Sequence, residues 1–477
     1  MYKYTYHIVE TNIPYLRDPP MAKEGEAWEW RMSFPDGMSK LFVSECMPQA
    51  PGLVVGLSLR CWGLMQTGWR YGMSEPQKVI HCFKVGMALC LVSLFYYVSP
   101  LYEGVGGNAM WAVLTVVVAF EYTVGATICK CLNRTTATFL AGALGIGVHW
   151  VATRFGATSE PIILQASVFV IASAATFLRF LPSVKAHFDH GALIFIFTFI
   201  LVSISGYRVP DLFEFTHHRV STVAIGTSIC VVTSIFCCPV WAGNELHSLI
   251  QSNMEKLADS LDGIVAEYLG DDADADDAKK EASNEKLVGY RCVLDSMSTE
   301  ESLVNYARWE PAHGGFNFRH PWKDYLELGA LLRSYAHCID ALSGIVSDTK
   351  APAFLKQHFS TVCVKLSSNS TAVLRELVAV VRTSAESPKI DLRLEEMCSA
   401  VQELQDALKA LSNQETGATE MKPQEFSEGG KGESNVVPFV AVVQLVTLSS
   451  LLIEIVARTE KIVKAVNTLA HKATSSE

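Results

Sequence analysis

Five basic residues stand inside or at the edges of apolar segments, where a free charge is unfavourable: Lys84, Lys130, Arg134, Arg179 and Arg219. A charge near a bilayer centre costs on the order of 2.5–3.5 kcal/mol on insertion scales, so such residues pair with an opposite charge or line a water path. In a low-dielectric passage a fixed cation replaces part of the hydration of a passing anion. Lys84 lies about five residues inside the first apolar segment and Glu121 about seven from the matching end of the second. At about 1.5 Å rise per residue both sit roughly 8–10 Å deep. On adjacent antiparallel helices the two make an ion pair holding a hairpin; the alternative is direct contact of Lys84 with an anion.

Lys130 and Arg134 are expected at the turn between the second and third segments, sharing a face if helix continues through them. With Arg179 and Lys185 they form a basic inner mouth, or simply the enrichment of basic residues found at cytosolic ends. At the other end Arg208 and Arg219 bracket the fifth and sixth segments as an anion-attracting entrance, or snorkel to the interface. Glu103, Asp211 and Glu214 share that outer face. They read either as loop solvation or as carboxylate ligands for a hard multivalent cation such as aluminium. Trp111 is an interfacial belt residue or a hydrophobic constriction.

The segments that must position these side chains dominate the chain. Of 477 residues 49% are hydrophobic and 18% charged, against about 25% charged in ordinary soluble domains. Mean hydropathy is +0.23 and the pI about 5.8. That balance excludes a disordered chain, and the net charge of −10 excludes a nucleic-acid binder. Thirteen cysteines without a C-x-x-C pair indicate neither a disulfide framework nor a zinc module. No Walker motif, metal triad or nucleophile arrangement is present, which argues against an enzyme and against a cofactor. Gly142, Gly145 and Gly147 lie within a span and allow close helix approach rather than cradling a dinucleotide.

Six stretches between Val79 and Trp241 have the roughly 20 residues needed to cross a bilayer: 79–98, 108–128, 135–153, 161–180, 186–206 and 220–241. The fold class expected is an all-α membrane protein, with six transmembrane helices in three hairpins followed by a cytosolic helical bundle. Domain boundaries follow: 1–75 an irregular N-terminal cytosolic region, 76–241 the membrane domain, 242–477 the cytosolic helical domain. Basic residues are denser on the side of Arg60, Arg70, Lys78, Lys130 and Arg134, which puts both termini in the cytosol. Beyond Trp241, Leu246, Leu249, Ile250, Met254, Leu257, Leu261 and Val265 recur at helical spacing. Further helical patterns run over 278–307, 321–347, 352–383 and 390–412. The acidic run 271–277 reads as a solvated linker. Residues 436–457 fit a buried bundle helix better than a seventh span, because Gln444 and Glu454 interrupt the apolar run.

Several strings together resemble the plant aluminium-activated malate transporter family, whose members are anion channels. In the membrane half they are His81-Cys82-Phe83-Lys84-Val85-Gly86, Met110-Trp111-Ala112-Val113-Leu114-Thr115, Glu121-Tyr122-Thr123-Val124-Gly125-Ala126-Thr127, Leu132-Asn133-Arg134, Ala175-Thr176-Phe177-Leu178-Arg179-Phe180 and Pro239-Val240-Trp241-Ala242-Gly243. In the polar half they are Trp309-Glu310-Pro311-Ala312-His313-Gly314 and Phe318-Arg319-His320-Pro321-Trp322. The resemblance implies a homodimer with a pore between subunits, lined by residues matching Arg134 and Arg219. It also implies passive conduction of malate and inorganic anions, in the plasma membrane or alternatively the vacuolar membrane. Modulation by aluminium belongs to part of the family, and here Pro210 stands near where responsive relatives carry an acidic residue. A secondary exporter of organic acids is the rival reading. Residues 1–75 depart from the short basic lead-in expected of the family.

Overall fold

The computed structural model describes residues 52–98, 108–156, 158–207, 211–269, 288–313, 320–348, 353–383, 387–418 and 439–474, and no strand occurs among them. Met1–Ser74 and Glu75–Glu477 form two compact units. In the first, α1 (Gly52–Ser74) is a continuous helix, so the last third of the stretch expected to be irregular is ordered. Leu53, Leu57, Cys61, Leu64 and Met65 recur at helical spacing, a pattern that outweighs the roughly 1 kcal/mol lost at each interior glycine. Trp62, Trp69 and Tyr71 are exposed on it within that unit. The rest of the 1–75 expectation lies outside the described residues.

The second unit opens with the apolar helices α2 (Pro76–Tyr97), α3 (Ala109–Ala119), α4 (Val124–Arg154), α5 (Glu160–Leu178), α6 (Pro182–Gly206) and α7 (Leu212–Phe236). Proline at the first positions of α2, α5 and α6 starts those helices where an unpaired N–H is tolerated. Five of the six are long and apolar enough to cross a membrane. The sixth, α3, has 11 residues and spans only about 16 Å, short of the ~30 Å hydrocarbon core.

Two of the expected boundaries are corrected here. The segment 108–128 does not form one helix: Phe120–Thr123 break it, and Thr123 caps α4 by accepting the Ala126 N–H at 3.3 Å. The turn expected around Lys130 and Arg134 is instead the second and third turn of the 31-residue α4. Charge alone marked those positions as loop, whereas burial and the Thr123 cap hold them in helix. Likewise α7 begins eight residues before the expected 220, so Thr216 to Arg219 are helical and Arg219 is enclosed rather than terminal.

Close approach of these helices depends on small residues. A Cβ added at Gly226 of α7 would stand 2.9 Å from the Ala112 carbonyl oxygen of α3, and one at Gly145 of α4 would stand 2.6 Å from Val202 of α6. On the outer surface Phe83, Phe169, Phe180, Phe213 and Phe236 are exposed, as expected for side chains that face lipid.

The remaining helices form a bundle: α8 (Ala242–Leu269), α9 (Met297–Ala307), α10 (Trp322–Asp348), α11 (Ala353–Thr383), α12 (Lys389–Ala418) and α13 (Phe439–Thr474), with a short helical turn over 288–294. Leu246, Ile250, Met254, Leu257 and Leu261 of α8 are fully buried. Each such side chain contributes about 1.5–3 kcal/mol by leaving water. α13 closes the same core through Leu445, Leu448, Leu452, Ile455 and Ile462, and is not among the candidate spans. The acidic run at 271–277 lies outside the described residues.

Candidate functional site

The site is built around two arginines that have no acidic partner among the described residues. Arg134, ten residues into α4, is 3% exposed, and its Nε donates to Thr115 Oγ1 at 3.1 Å. That hydroxyl in turn donates to the Trp111 carbonyl at 2.7 Å, so α3 presents an oriented acceptor to α4. Arg219 of α7 is also 3% exposed. Its guanidinium carbon lies 3.9 Å from the Trp111 ring centroid and 5.3 Å from that of Phe197. Nη2 donates to Thr198 Oγ1 at a long 3.4 Å, while Nε and Nη1 are buried without a hydrogen-bond partner among the described residues. Burying an ion without compensation is expensive. These donors stand next to the Thr198 hydroxyl and the aromatic faces of Trp111 and Phe197.

The other three cations are engaged. Lys130 pairs with Glu121, and Arg179 grips Asp189 through two hydrogen bonds of 2.8 and 3.2 Å. Lys84 Nζ donates to the Cys238 carbonyl at 3.2 Å. The expected Lys84–Glu121 pair is therefore replaced by Lys130–Glu121. The cause is the helix break: Glu121 sits outside α3, tied through its N–H and carbonyl to Thr127 Oγ1 at 3.1 Å each. That position brings its carboxylate to the first turns of α4. The Trp111 ring is the surface on which Arg219 rests.

At the start of α7, Asp211 is the residue before the helix and Glu214 lies in its first turn, 3.4 Å from His218 Nε2. Glu103 lies outside the described residues. Among the described residues no three His, Cys, Asp or Glu side chains converge as a metal site.

A joint missed by sequence reasoning connects the apolar helices to the bundle. Glu310, in the loop after α9, is 5% exposed. Its Oε1 accepts the N–H groups of Gly125 at 3.0 Å and Ala242 at 2.6 Å, and its Oε2 that of Gly243 at 3.1 Å. One carboxylate thus caps the N-termini of both α4 and α8, where the helix dipoles favour negative charge. Burial raises its pKa above the ordinary carboxylate range, while the three N–H groups and His313 oppose that rise. Beside it the His313 ring stacks on Trp241 with centroids 3.9 Å apart. The Val124 N–H donates to the Val240 carbonyl at 2.9 Å, joining the break before α4 to the segment after α7. The only sequence signal was the string Trp309 to Gly314, which reads as a loop; that its glutamate reaches residues 185 and 68 positions away is not legible locally.

Long apolar helices carrying buried, unneutralised cations, joined to a helical bundle, define a multi-pass membrane protein of the transporter and channel class. The chain belongs to the aluminium activated malate transporter family, whose model matches residues 69–435. Aluminum-activated malate transporter 10 of Arabidopsis thaliana is 48% identical over 94% of this chain and 95% of its own length. Aluminum-activated malate transporter 2 of the same plant is 44% identical over 86% of this chain and 78% of its own. Aluminum-activated malate transporter 1 of Triticum aestivum is 40% identical, covering 78% and 83% respectively. The match to the first leaves too little of the chain uncovered to exempt all of residues 1–75, so part of that stretch is shared with a relative rather than foreign to the family.

Proposed function

We propose that this chain is a plant anion channel that conducts malate and inorganic anions passively across a membrane. The observation that carries the reading is the pair Arg134 and Arg219, both buried and both without a carboxylate partner among the described residues. Measured along the helix, Arg134 lies about 15 Å from the start of α4, close to half the hydrocarbon thickness. An anion there meets Arg219 donors that no described residue engages. Two cations at different depths suit a dicarboxylate, and a site that holds without neutralising also lets the ion leave. Lys84 sits nearer the bundle and adds to the attracting field; Lys130, paired with Glu121, and Arg179, paired with Asp189, contribute less.

In this reading the bundle and both termini are cytosolic, the pore forms where two copies meet, and the plasma membrane is favoured over the vacuolar membrane. Any aluminium response would be carried by the outer acidic residues Glu103, Asp211 and Glu214. Family membership and the names of the relatives support malate as the permeant ion. The test is whole-cell current in a non-plant cell with malate inside and chloride outside. A reversal potential that follows the anion gradients, lost in Arg134→Ala and Arg219→Ala at normal surface expression, is the expected result. Unchanged conductance in both variants overturns the pore assignment.

One observation favours the rival of an alternating-access exporter of organic acids: the break at Phe120–Thr123 makes α3 a half-length helix, a feature common at transporter binding sites. Unitary currents without counter-ion stoichiometry decide for the channel.

A further inference from the structure

Away from the arginines, a cavity of about 530 Å³ opens between α4, α5 and α6. Its walls include Ala137, Ala175, Gly191 and Ala192, whose small side chains make the space, with Leu140 and Phe188 giving it an apolar lining. Trp309, reaching over from the loop that carries Glu310, forms one end. The volume lies within the ~300–1,000 Å³ typical of small-molecule sites. Water does not suit it, because a buried water needs two to four polar partners. Asn133 is the principal polar side chain of the lining, and its amide already donates to the His187 carbonyl at 3.0 Å. An apolar guest does suit it.

The rim adds charge. Lys185 follows the lining residue Val184, and Arg308 precedes Trp309. Both are exposed; the Asp189 carboxylate lies in the field of Lys185 but hydrogen-bonds Arg179. A tryptophan with two exposed cations beside an apolar slot is the chemistry that holds an amphiphile at a membrane interface, tail inward and anionic head outward. The slot also lies between helices that span the bilayer, so the guest at hand is a membrane lipid.

We infer that this cavity is a binding site for an anionic phospholipid, with one acyl chain between α4, α5 and α6 and the phosphate held by Lys185 and Arg308. The site touches the membrane helices and the bundle loop at once through Trp309, and it is separate from the Arg134–Arg219 pair. It is therefore independent of whether the chain conducts.

The experiment is native mass spectrometry of the full chain, exchanged from detergent into a defined mixture of phosphatidylcholine and phosphatidylinositol phosphate. The expected result is one retained anionic lipid per chain, preferred over phosphatidylcholine. The combined variant Lys185→Gln and Arg308→Gln should lose that preference by roughly fivefold per residue removed, yet still retain phosphatidylcholine. Filling the slot with Ala192→Phe should remove both lipids while the oligomeric state and thermal unfolding stay as in the parent. Undiminished lipid retention in Ala192→Phe overturns the proposal. So does equal retention of both lipids by the parent chain, or a change of oligomeric state in Ala192→Phe, which would make the cavity a contact between copies. Should Ala192→Phe fail to fold, Ala175→Leu narrows the same slot and is read in the same way.

Discussion

The guanidinium carbon of Arg219 rests 3.9 Å above the Trp111 ring, so an aromatic face stands where a carboxylate would have cancelled the charge. A ring quadrupole stabilises a desolvated cation by about 2 kcal/mol while leaving its donors free. Replacing Trp111 by Leu is expected to lower malate current at sub-saturating concentration by roughly tenfold, with Trp111→Phe retaining most of it. Whole-cell recording normalised to surface protein checks this; equal currents in all three proteins would remove Trp111 from the site.

Glu310 gives a second expectation. Removing a buried acceptor strands three N–H groups, each worth about 1–3 kcal/mol when left unsatisfied. Glu310→Ala should therefore destabilise the chain by several kcal/mol and deplete it from the membrane, and Glu310→Gln, which keeps an acceptor oxygen, should do less. Thermal unfolding in detergent, together with surface labelling, reads both.

Gly125 tests the same joint from the opposite side. A Cβ there would stand 2.3 Å from the Tyr306 carbonyl oxygen and 2.9 Å from Glu310 Cγ, whereas at Gly147 nothing lies within 4 Å. Gly125→Ala should lower the unfolding temperature sharply. Gly147→Ala, in the same helix, should leave it unchanged or raise it slightly, through up to about 1 kcal/mol of helix propensity. Equal effects would place the contact elsewhere.

A pH dependence follows from His320. Burial, with His247 nearby, pushes its pKa down to about 4 from the ordinary 6.5, and its Nε2 lies 3.3 Å from Tyr325 Oη. The unfolded chain takes up this proton first, so stability is fully present above pH 6.5 and is lost as pH falls toward 4. The loss is on the order of 3 kcal/mol when complete. The bundle should melt at lower temperature at pH 5 than at pH 7, and His320→Gln should flatten that difference.

Much of this architecture is visible in the sequence because the bilayer enforces it. Long apolar runs located five spanning helices, and the patterns beyond Trp241 fall within a few residues of the bundle helices α10 and α11. Two features escaped for physical reasons. Phe120-Glu121-Tyr122-Thr123 contains no Gly or Pro, so nothing but the capping potential of Thr123 marks the break. Lys130 and Arg134 depress local hydropathy and so mimic a loop, although the Thr123 cap and the burial of Arg134 against α3 hold them in helix. The basic residues themselves were legible from type and position. Their partners were not, because Glu121 with Lys130 and Arg219 with Trp111 depend on how helices rotate against one another.

The uninterrupted run of α4 from Glu310's grip to Arg134 makes it a lever with its fulcrum at Gly125. Arg134 stands about 15 Å from that fulcrum, so a 10° rocking at the foot would sweep the base of its side chain through roughly 2–3 Å, comparable to a hydrogen-bond length. Small rotations of the bundle are thereby magnified at Arg134.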